Sequence, residues 1–509
     1  MSNRYEVSVT EIEKQKSIMR RIRETFGMRL TPALAYVDTY GCQQNEADSE
    51  TLRGMLREMG CDFTSDEFAA DIIVINTCAI RENAENRVLG NVGALVHTKK
   101  AKPSQIIAFC GCLAAAPETA DKIRRSYRHI DLLFSPNMLW RFPELLDRVL
   151  TASGRVFDFG GEGAIAEDLP LHRDGTVKAW LPIMYGCDNF CSYCIVPHVR
   201  GRERSRRPEV LIETAQKLVS EGYKDITLLG QNVNSYGAGL GTGVDFASLI
   251  RRINDIEGEF LIRFMTSHPK DASGELFRAM AESQKAARHI HLPFQAGSDR
   301  ILRLMNRGYT QSGYLEKIAA ARELMPEIVI TSDVIVGFPG ETDGEFEDTL
   351  NLVEKARFDA MFTFIYSKRP GTPAAELPDT STREEKQIRF DRLLEMQNSI
   401  SAEKHRQYTG KTVRVLVDGE SQDARYPLNA RTNGGRLVHL NTEERVNKFG
   451  IRNSEFGIKD GRDGPILQQS WERGDKRGAV SDSALIGRFV DVEITHCNSW
   501  SLFGVLSMA

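Results

Sequence analysis

Apolar and polar positions between residues 31 and 136 alternate in three copies of one design: a short apolar run, a cysteine, then an amphipathic stretch. Leu34-Ala-Tyr-Val-Asp-Thr-Tyr leads to Gly41-Cys42 and a helical pattern from Asn45 to Met59. Ile72-Ile-Val-Ile-Asn leads to Thr77-Cys78 and then Glu82 to Leu95, and Ile106-Ile-Ala-Phe-Cys leads to Gly111-Cys112 and a helix from Ala115 onwards. Strand, loop and helix repeated in this way predict a parallel sheet, whose strand carboxyl ends face one crevice. Three cysteines at those ends would converge there. Further apolar runs at 181–186, 225–230, 261–266, 288–294, 328–337 and 359–366 alternate with helical stretches such as Pro208–Gly222, Ser312–Leu324 and Glu341–Ala356. Six such units suit an open, partial (β/α) barrel with its chemistry at the carboxyl ends of the strands. From Gly410 the pattern turns to alternating runs at Thr412–Val417, Arg436–Leu440, Arg488–Ile494 and Trp500–Leu506, as in a small β-barrel interrupted by a polar, glycine-bearing insertion at about 441–484. The stretch up to about Met28 reads as an amphipathic arm. The expected organisation is therefore an arm (1–30), a cysteine-bearing α/β domain (31–160), a barrel (175–408) and a β-barrel domain (409–509).

Composition adds little to that picture. The 509 residues, 41% hydrophobic and 27% charged, are ordinary for a globular chain, and a net charge of −4 supplies no overall positive field for nucleic acid. No run approaches the eighteen apolar residues of a membrane span, and Met1 to Thr10 lacks the apolar core of a signal peptide. Nine cysteines without a disulfide framework point to a reducing, cytoplasmic setting.

The chemistry lies in Tyr185-Gly-Cys-Asp-Asn-Phe-Cys-Ser-Tyr-Cys, where Cys187, Cys191 and Cys194 fall within eight residues. Three thiolates can hold three corners of a four-iron cluster and leave the fourth iron open to a substrate, whereas closed sites normally take four protein ligands. A zinc knuckle completed by His198 is the competing reading, and Phe190 and Tyr193, which would shield a redox cluster from water, argue against it. For Cys42, Cys78 and Cys112 the plain alternative is three unrelated core cysteines. The sharper reading is a second three-cysteine cluster site, with Gly41 and Gly111 removing bulk where the backbone passes close. Cys110, in line with Tyr40 and Asn76, reads as a strand residue, Cys61 follows a helix, and Cys497 lies in the C-terminal region.

The C-x3-C-x2-C spacing resembles that of radical S-adenosylmethionine (SAM) enzymes. Together with Gly41-Cys-Gln-Gln-Asn-Glu-Ala-Asp-Ser-Glu50, Asn76-Thr-Cys-Ala-Ile-Arg-Glu-Asn-Ala-Glu85, Gly111-Cys-Leu-Ala and Cys187 through Arg206, the chain resembles the bacterial MiaB family of tRNA methylthiotransferases over about four fifths of its length. That resemblance implies an α/β fold: a flavodoxin-like N-terminal domain with an auxiliary [4Fe-4S] cluster on Cys42, Cys78 and Cys112, a radical SAM partial barrel with a [4Fe-4S] cluster on Cys187, Cys191 and Cys194, and a C-terminal TRAM barrel that holds tRNA. It also implies the reaction, in which reductive cleavage of SAM removes a hydrogen from carbon-2 of an isopentenylated adenosine next to the anticodon, and a methylated sulfur is inserted there. Relatives that modify ribosomal protein S12 or threonylcarbamoyladenosine share the six cysteines. The ribosomal-protein enzymes tend to read Leu-Gly-Cys and Asn-Thr-Cys-Gly-Phe where this chain has Tyr40-Gly41-Cys42 and Asn76-Thr77-Cys78-Ala79, and the Arg200-Gly-Arg-Glu-Arg-Ser-Arg run also favours a tRNA enzyme. By the same resemblance Tyr193, Gln231, Asn232, Gln295, Ser298, Gly337, Pro339 and Glu341 are expected to hold SAM or substrate. Arg200, Arg202, Arg204, Arg206 and Arg207 are expected to meet the phosphates of an anticodon stem-loop. An external donor, flavodoxin or ferredoxin, a monomeric state and the absence of a membrane partner complete the expectation.

Overall fold

The computed structural model describes residues 6–79, 82–152, 154–160, 163–442 and 482–507. Two compact units divide the chain, residues 1–404 with 433–435 and residues 405–432 with 436–509.

The first unit begins with α1 (Val9–Gly27), capped by the Ser8 hydroxyl and burying Ile12, Ile18, Met19, Ile22 and Phe26 along one stripe. It is followed by β1 (Ala33–Tyr40), α2 (Gln43–Glu58), β2 (Cys61–Phe63), β3 (Ile72–Thr77), β4 (Ile106–Gly111), β5 (Leu132–Phe134) and β6 (Val156–Asp158). These six strands form one parallel sheet in the order β2-β1-β3-β4-β5-β6. Every residue of β3 and β4 is buried, as helices on both faces require. One face packs α1, α2 and the helix Phe142–Thr151 around Leu52, Met55, Val74 and Phe134, and the other packs the helices Glu82–Ala94 and Pro117–Ser126 around Ile73, Ile107 and Phe109. The strand order reverses between β1 and β3. A crevice opens at such a switch point, beyond the carboxyl ends of the strands.

Beyond this sheet lie β7 (Lys178–Pro182), β8 (Met184–Tyr185), β9 (Arg204–Ser205), β10 (Asp225–Leu229), β11 (Leu261–Phe264), β12 (His289–His291), β13 (Val329–Val336) and β14 (Ala360–Ile365). Strand β7 begins three residues before the expected 181–186 run, and β8 and β9 make a small antiparallel pair on the way into the cysteine loop. The parallel strands fall into two sheets, β11-β10-β7 and β12-β13-β14, joined by one parallel bridge, Ile262 with Ala286. The order is that of a six-stranded open barrel. A single core fills it, from Ala179, Ile226 and Ile262 to Ile290, Val334 and Phe358.

The second unit is a closed antiparallel-rich barrel of β15 (Thr412–Glu420), β16 (Leu428–Thr432), β17 (Leu437–Asn441), β18 (Phe489–Cys497) and β19 (Leu502–Leu506), in the order β15-β16-β17-β19-β18. Its inward positions, among them Val415, Val417, Leu428, Ala430, Val438, Val492 and Leu502, alternate with outward polar ones. Most of the expected insertion at 441–484 lies outside the described residues. Among the described residues no helix is long and apolar enough to cross a membrane.

Candidate functional site

Cys42 caps α2, Cys78 follows β3 and Cys112 follows β4, so all three stand at the switch-point crevice. Beneath them is a lattice of buried amides. Asn45 donates to the Asn76 side chain (3.2 Å) and to the Thr77 carbonyl (3.1 Å), while Asn76 donates to the Asn45 carbonyl (2.9 Å) and to Ser49 (3.0 Å). Such a fully bonded network fixes the loops that carry the thiols. A Cβ on Gly41 would come within 2.8 Å of the Cys78 Cβ, and one on Gly111, at φ +93°, within 2.3 Å of the Thr77 carbonyl oxygen. The Cys42 thiol is pulled down to about 6, chiefly by its hydrogen bond with Cys78, against burial and with help from the charge of Arg200. Burial pushes Cys112 up, and the Arg200 charge works against it.

In register, Cys110 pairs with Asn76, but Tyr40 pairs with Thr77, one residue beyond the alignment read from the sequence. Cys110 is a strand residue inside the core, where burial holds its thiol well above the usual range. Cys61 opens β2 rather than merely trailing a helix, and it too is a buried core residue.

Cys187, Cys191 and Cys194 lie on a loop clamped from several sides. Gly186, at φ +77°, passes so close to the chain that a Cβ would sit 2.1 Å from the Arg202 carbonyl oxygen. The Asn306 amide donates to the carbonyls of Asn189 (3.1 Å) and Phe190 (3.0 Å), and Ser192 donates its N–H to Met305 (3.0 Å) and its hydroxyl to Leu304 (2.7 Å). Arg307, buried, donates to Cys191 Sγ at 3.2 Å, to Tyr309 at 3.1 Å and to the Pro293 carbonyl at 2.9 Å. Burial pushes Cys187 up to about 11 and Cys194 up to about 12. Thiols in such a place ionise only when cations take the proton's place, so the donor set fits an iron–sulfur cluster. No three His, Cys, Asp or Glu groups among the described residues converge on one ion position. A cubane, which spreads its thiolates over separate irons, does not need them to.

Backbone strain and unpaired polar atoms also gather in the cysteine loop and at the carboxyl ends of the barrel strands. Phe190, Thr266 and Gln295 are non-glycine residues at φ +44°, +66° and +65°. Such conformations cost about 1–3 kcal/mol each and cluster at functional sites. Asn232 Oδ1, both Asn234 amide atoms, Ser267 Oγ, His268 Nε2 and Tyr366 Oη are buried without a hydrogen-bond partner among the described residues. Buried polar groups are normally satisfied, so these fit a polar ligand such as SAM. Burial, with Arg307 and Lys270 nearby, keeps His268 neutral.

Of the residues expected to contact SAM, Asn232 is buried with its Nδ2 on Asp271 (2.7 Å), Tyr193 is partly buried near Arg307, and Gln295 is held through its backbone against β13. Gly337 and Pro339 lie in the turn after β13, where a Cβ at Gly337 would meet the Lys386 side chain at 2.4 Å. Three others are spent within the protein. Gln231 Oε1 accepts from the Gly186 N–H. Ser298 caps the helix Asp299–Leu304 and donates to Glu345. Glu341 accepts from the Gly337 N–H (2.8 Å) and pairs with Arg389 (3.3 Å), and burial pushes it up to about 7. Their side chains shape the loops.

The arginine run divides in the same way. Arg200 is buried against Cys112 and Asp48, Arg204 is buried on the carbonyls of Arg200 and Arg202, and Arg206 forks onto Glu167 at 2.6 and 2.9 Å. Arg200 closes the short helix Val196–Arg200, and Arg204 sits in the two-residue strand β9, where both residues are buried. Only Arg202 and Arg207 are exposed, with side chains 66% and 51% accessible. Of the five arginines expected to meet phosphate, these two are the ones with accessible side chains, paired with Asp188 and Glu6. Arg206→Ala should cost about 3 kcal/mol in chemical denaturation because Glu167 is left without its fork. Arg202→Ala should stay within about 0.5 kcal/mol of the parent.

Arg307 and Asn306 escaped the sequence reading. They follow an unremarkable helix with no motif, and the left-handed Asn306 (φ +57°) and Gly308 (φ +69°) mark the turn.

Residues 181–353 match the radical SAM superfamily, and residues 34–135 match a family described as uncharacterized protein family UPF0004. Among solved structures, the radical SAM methyltransferase TsrM from Kitasatospora setae is similar at a TM-score of 0.51 and 13% identity, over 67% of this chain and 75% of that one, a likeness of fold. The tRNA-2-methylthio-N(6)-dimethylallyladenosine synthase of Acetivibrio thermocellus is 44% identical over 98% of this chain and 97% of its own. That of Alkaliphilus oremlandii is 44% identical over 99% of each. With the two cysteine triplets, the parallel six-stranded sheet, the six-stranded open barrel and this near-complete alignment together, the chain belongs to the tRNA-2-methylthio-N(6)-dimethylallyladenosine synthase family.

Proposed function

We propose that this chain is a radical SAM methylthiotransferase that places a methylthio group on carbon-2 of the isopentenylated adenosine beside the tRNA anticodon. The observation that carries the reading is the pair of cysteine triplets, Cys42, Cys78 and Cys112 at the switch-point crevice of the six-stranded sheet and Cys187, Cys191 and Cys194 on the loop after β8, in a chain aligned with its relatives over 98% of its length. Cys187, Cys191 and Cys194 would hold the cluster to which SAM binds, and Cys42, Cys78 and Cys112 the auxiliary one. When bound, these groups supply the one-electron chemistry and the sulfur and methyl for the new carbon–sulfur bond. The protein's part is placement. Asn306 and Ser192 fix the cysteine loop, Arg307 holds Cys191, Tyr193 packs its ring against the apolar cluster beside the loop, and the unpartnered atoms of Asn232, Asn234, Ser267 and Tyr366 offer polar contacts at the strand ends.

RNA contact is assigned to the exposed Arg202 and Arg207 and to the C-terminal barrel. There Phe503 lies flat on His496 (4.5 Å, 3°) with His439 and Tyr426 alongside. Such a ring platform suits sequence-tolerant base stacking. Each lost phosphate contact should reduce the salt dependence of tRNA binding by about one counterion. Flavodoxin or ferredoxin as electron donor, a monomeric state and a cytoplasmic location belong to the same proposal.

The test is to incubate reconstituted enzyme, reductant and SAM with tRNA bearing or lacking the isopentenyl group, and with ribosomal protein S12. The methylthio mass increment is expected on the isopentenylated adenosine alone. Equal modification of both tRNAs, or of S12 instead, would refute the substrate assignment.

A further inference from the structure

We propose that Arg200 is a positioning residue for the auxiliary cluster, and that Arg200 and Asp48 together set that cluster's reduction potential. Arg200 ends the short helix Val196–Arg200, directly after the loop of Cys187, Cys191 and Cys194, yet its side chain is turned into the other sheet's crevice. It is 4% exposed, with Nε donating to Cys112 Sγ at 3.0 Å and a terminal nitrogen donating to Asp48 Oδ2 at 2.8 Å. The backbone beneath it is pinned, since the Arg204 guanidinium donates twice to the Arg200 carbonyl, each at 3.2 Å. Asp48, on α2, is held in turn by Gln44 Nε2 at 3.1 Å.

Hydrogen bonds to the sulfurs and the net local charge are among the quantities that fix a cluster's potential. A buried guanidinium on a ligand sulfur favours the reduced, more negative state, and a carboxylate on the far side of the same guanidinium opposes it. Little water screens either charge there. Arginine can hold sulfur and carboxylate at once because its donors are set in a rigid fork, which the single ammonium of lysine lacks. The other triplet has its own arginine, Arg307 on Cys191, whose remaining bonds go to the Tyr309 hydroxyl and the Pro293 carbonyl. Among its described bonds Arg307 has no carboxylate, so a carboxylate on the sulfur-bound guanidinium distinguishes the auxiliary site.

This inference rests on the reading of Cys42, Cys78 and Cys112 as cluster ligands, and the test separates the two. The full chain is reconstituted anaerobically and its iron counted, and both midpoint potentials are then followed by electron paramagnetic resonance in a redox titration. A parent chain holding iron for one cluster would sink the underlying reading. With both clusters present, Arg200→Met should shift the auxiliary couple downward by about tenfold in its reduction equilibrium, about 59 mV for one electron. Asp48→Asn should shift it upward, Arg200→Lys should fall between parent and Arg200→Met, and the SAM-side couple should stay in place in all three. An unmoved auxiliary potential, shifts of one sign in Arg200→Met and Asp48→Asn, or equal shifts in both clusters would overturn the proposal. If Arg200→Met fails to retain the auxiliary iron, Asp48→Asn decides alone, and no upward shift there overturns it.

Discussion

Replacing Cys187, Cys191 and Cys194 together by Ala should lower the iron of the reconstituted chain from about eight to about four per molecule and abolish reductive cleavage of SAM. Replacing Cys42, Cys78 and Cys112 should lower iron by the same amount, leave cleavage intact and stop product formation. The two outcomes differ because the triplets sit in separate crevices, each with its own supporting bonds: the amide lattice of Asn45 and Asn76 under one, the clamp of Asn306 and Ser192 around the other. Chelatable iron and deoxyadenosine release, measured on the same preparations, check it. A triple variant retaining its full iron would sink the ligand assignment.

The second large effect is expected from a single methyl group. Gly186→Ala places a Cβ 2.1 Å from the Arg202 carbonyl oxygen and 2.5 Å from that of Gly201, at a φ of +77° that disfavours any side chain. Backbone strain alone costs about 1–3 kcal/mol, and the clash must add to it by moving the residue that carries Cys187. Gly111→Ala should do the same to Cys112, with the Thr77 carbonyl oxygen at 2.3 Å. Each variant should lose its own cluster's iron and keep the other's. Gly344→Ala is the control: it lies in the helix Asp343–Ala356 with open space around it and should be stabilised by about 0.5–1 kcal/mol in thermal unfolding.

The strands that carry the cysteines were legible because burial on both faces writes them as unbroken apolar runs, as in Ile72-Ile-Val-Ile. Strands β2, β5 and β6, three residues each, carry too few positions for a period to show, and β16 is masked by Asn429 and Arg431. The six cysteines stood out by spacing, and the structure places each triplet's loops together. The side chains around them were harder. Ser298 stands at a strand end like a ligand residue, yet its hydroxyl is spent on a helix cap and on Glu345. The arginine run reads as one charged patch because its answering carboxylates are remote in sequence, Asp48 lying 152 positions from Arg200 and Glu167 39 from Arg206. Local pattern reports which face of an element is apolar. It does not report which distant group answers a charge.

Helix α2 carries Asp48 and Glu50 on its buried side, and their cationic partners, Arg200 and Arg173, come from the segments that surround the start of the barrel. The two sides of this seam are therefore electrostatically matched to each other. A graft of residues 34–135 onto a foreign barrel would strand two carboxylates away from water, at a cost of about 3–5 kcal/mol for each broken buried pair. Chimeras that keep α2 together with the segments bearing Arg173 and Arg200 should fold where those that cut across this seam fail.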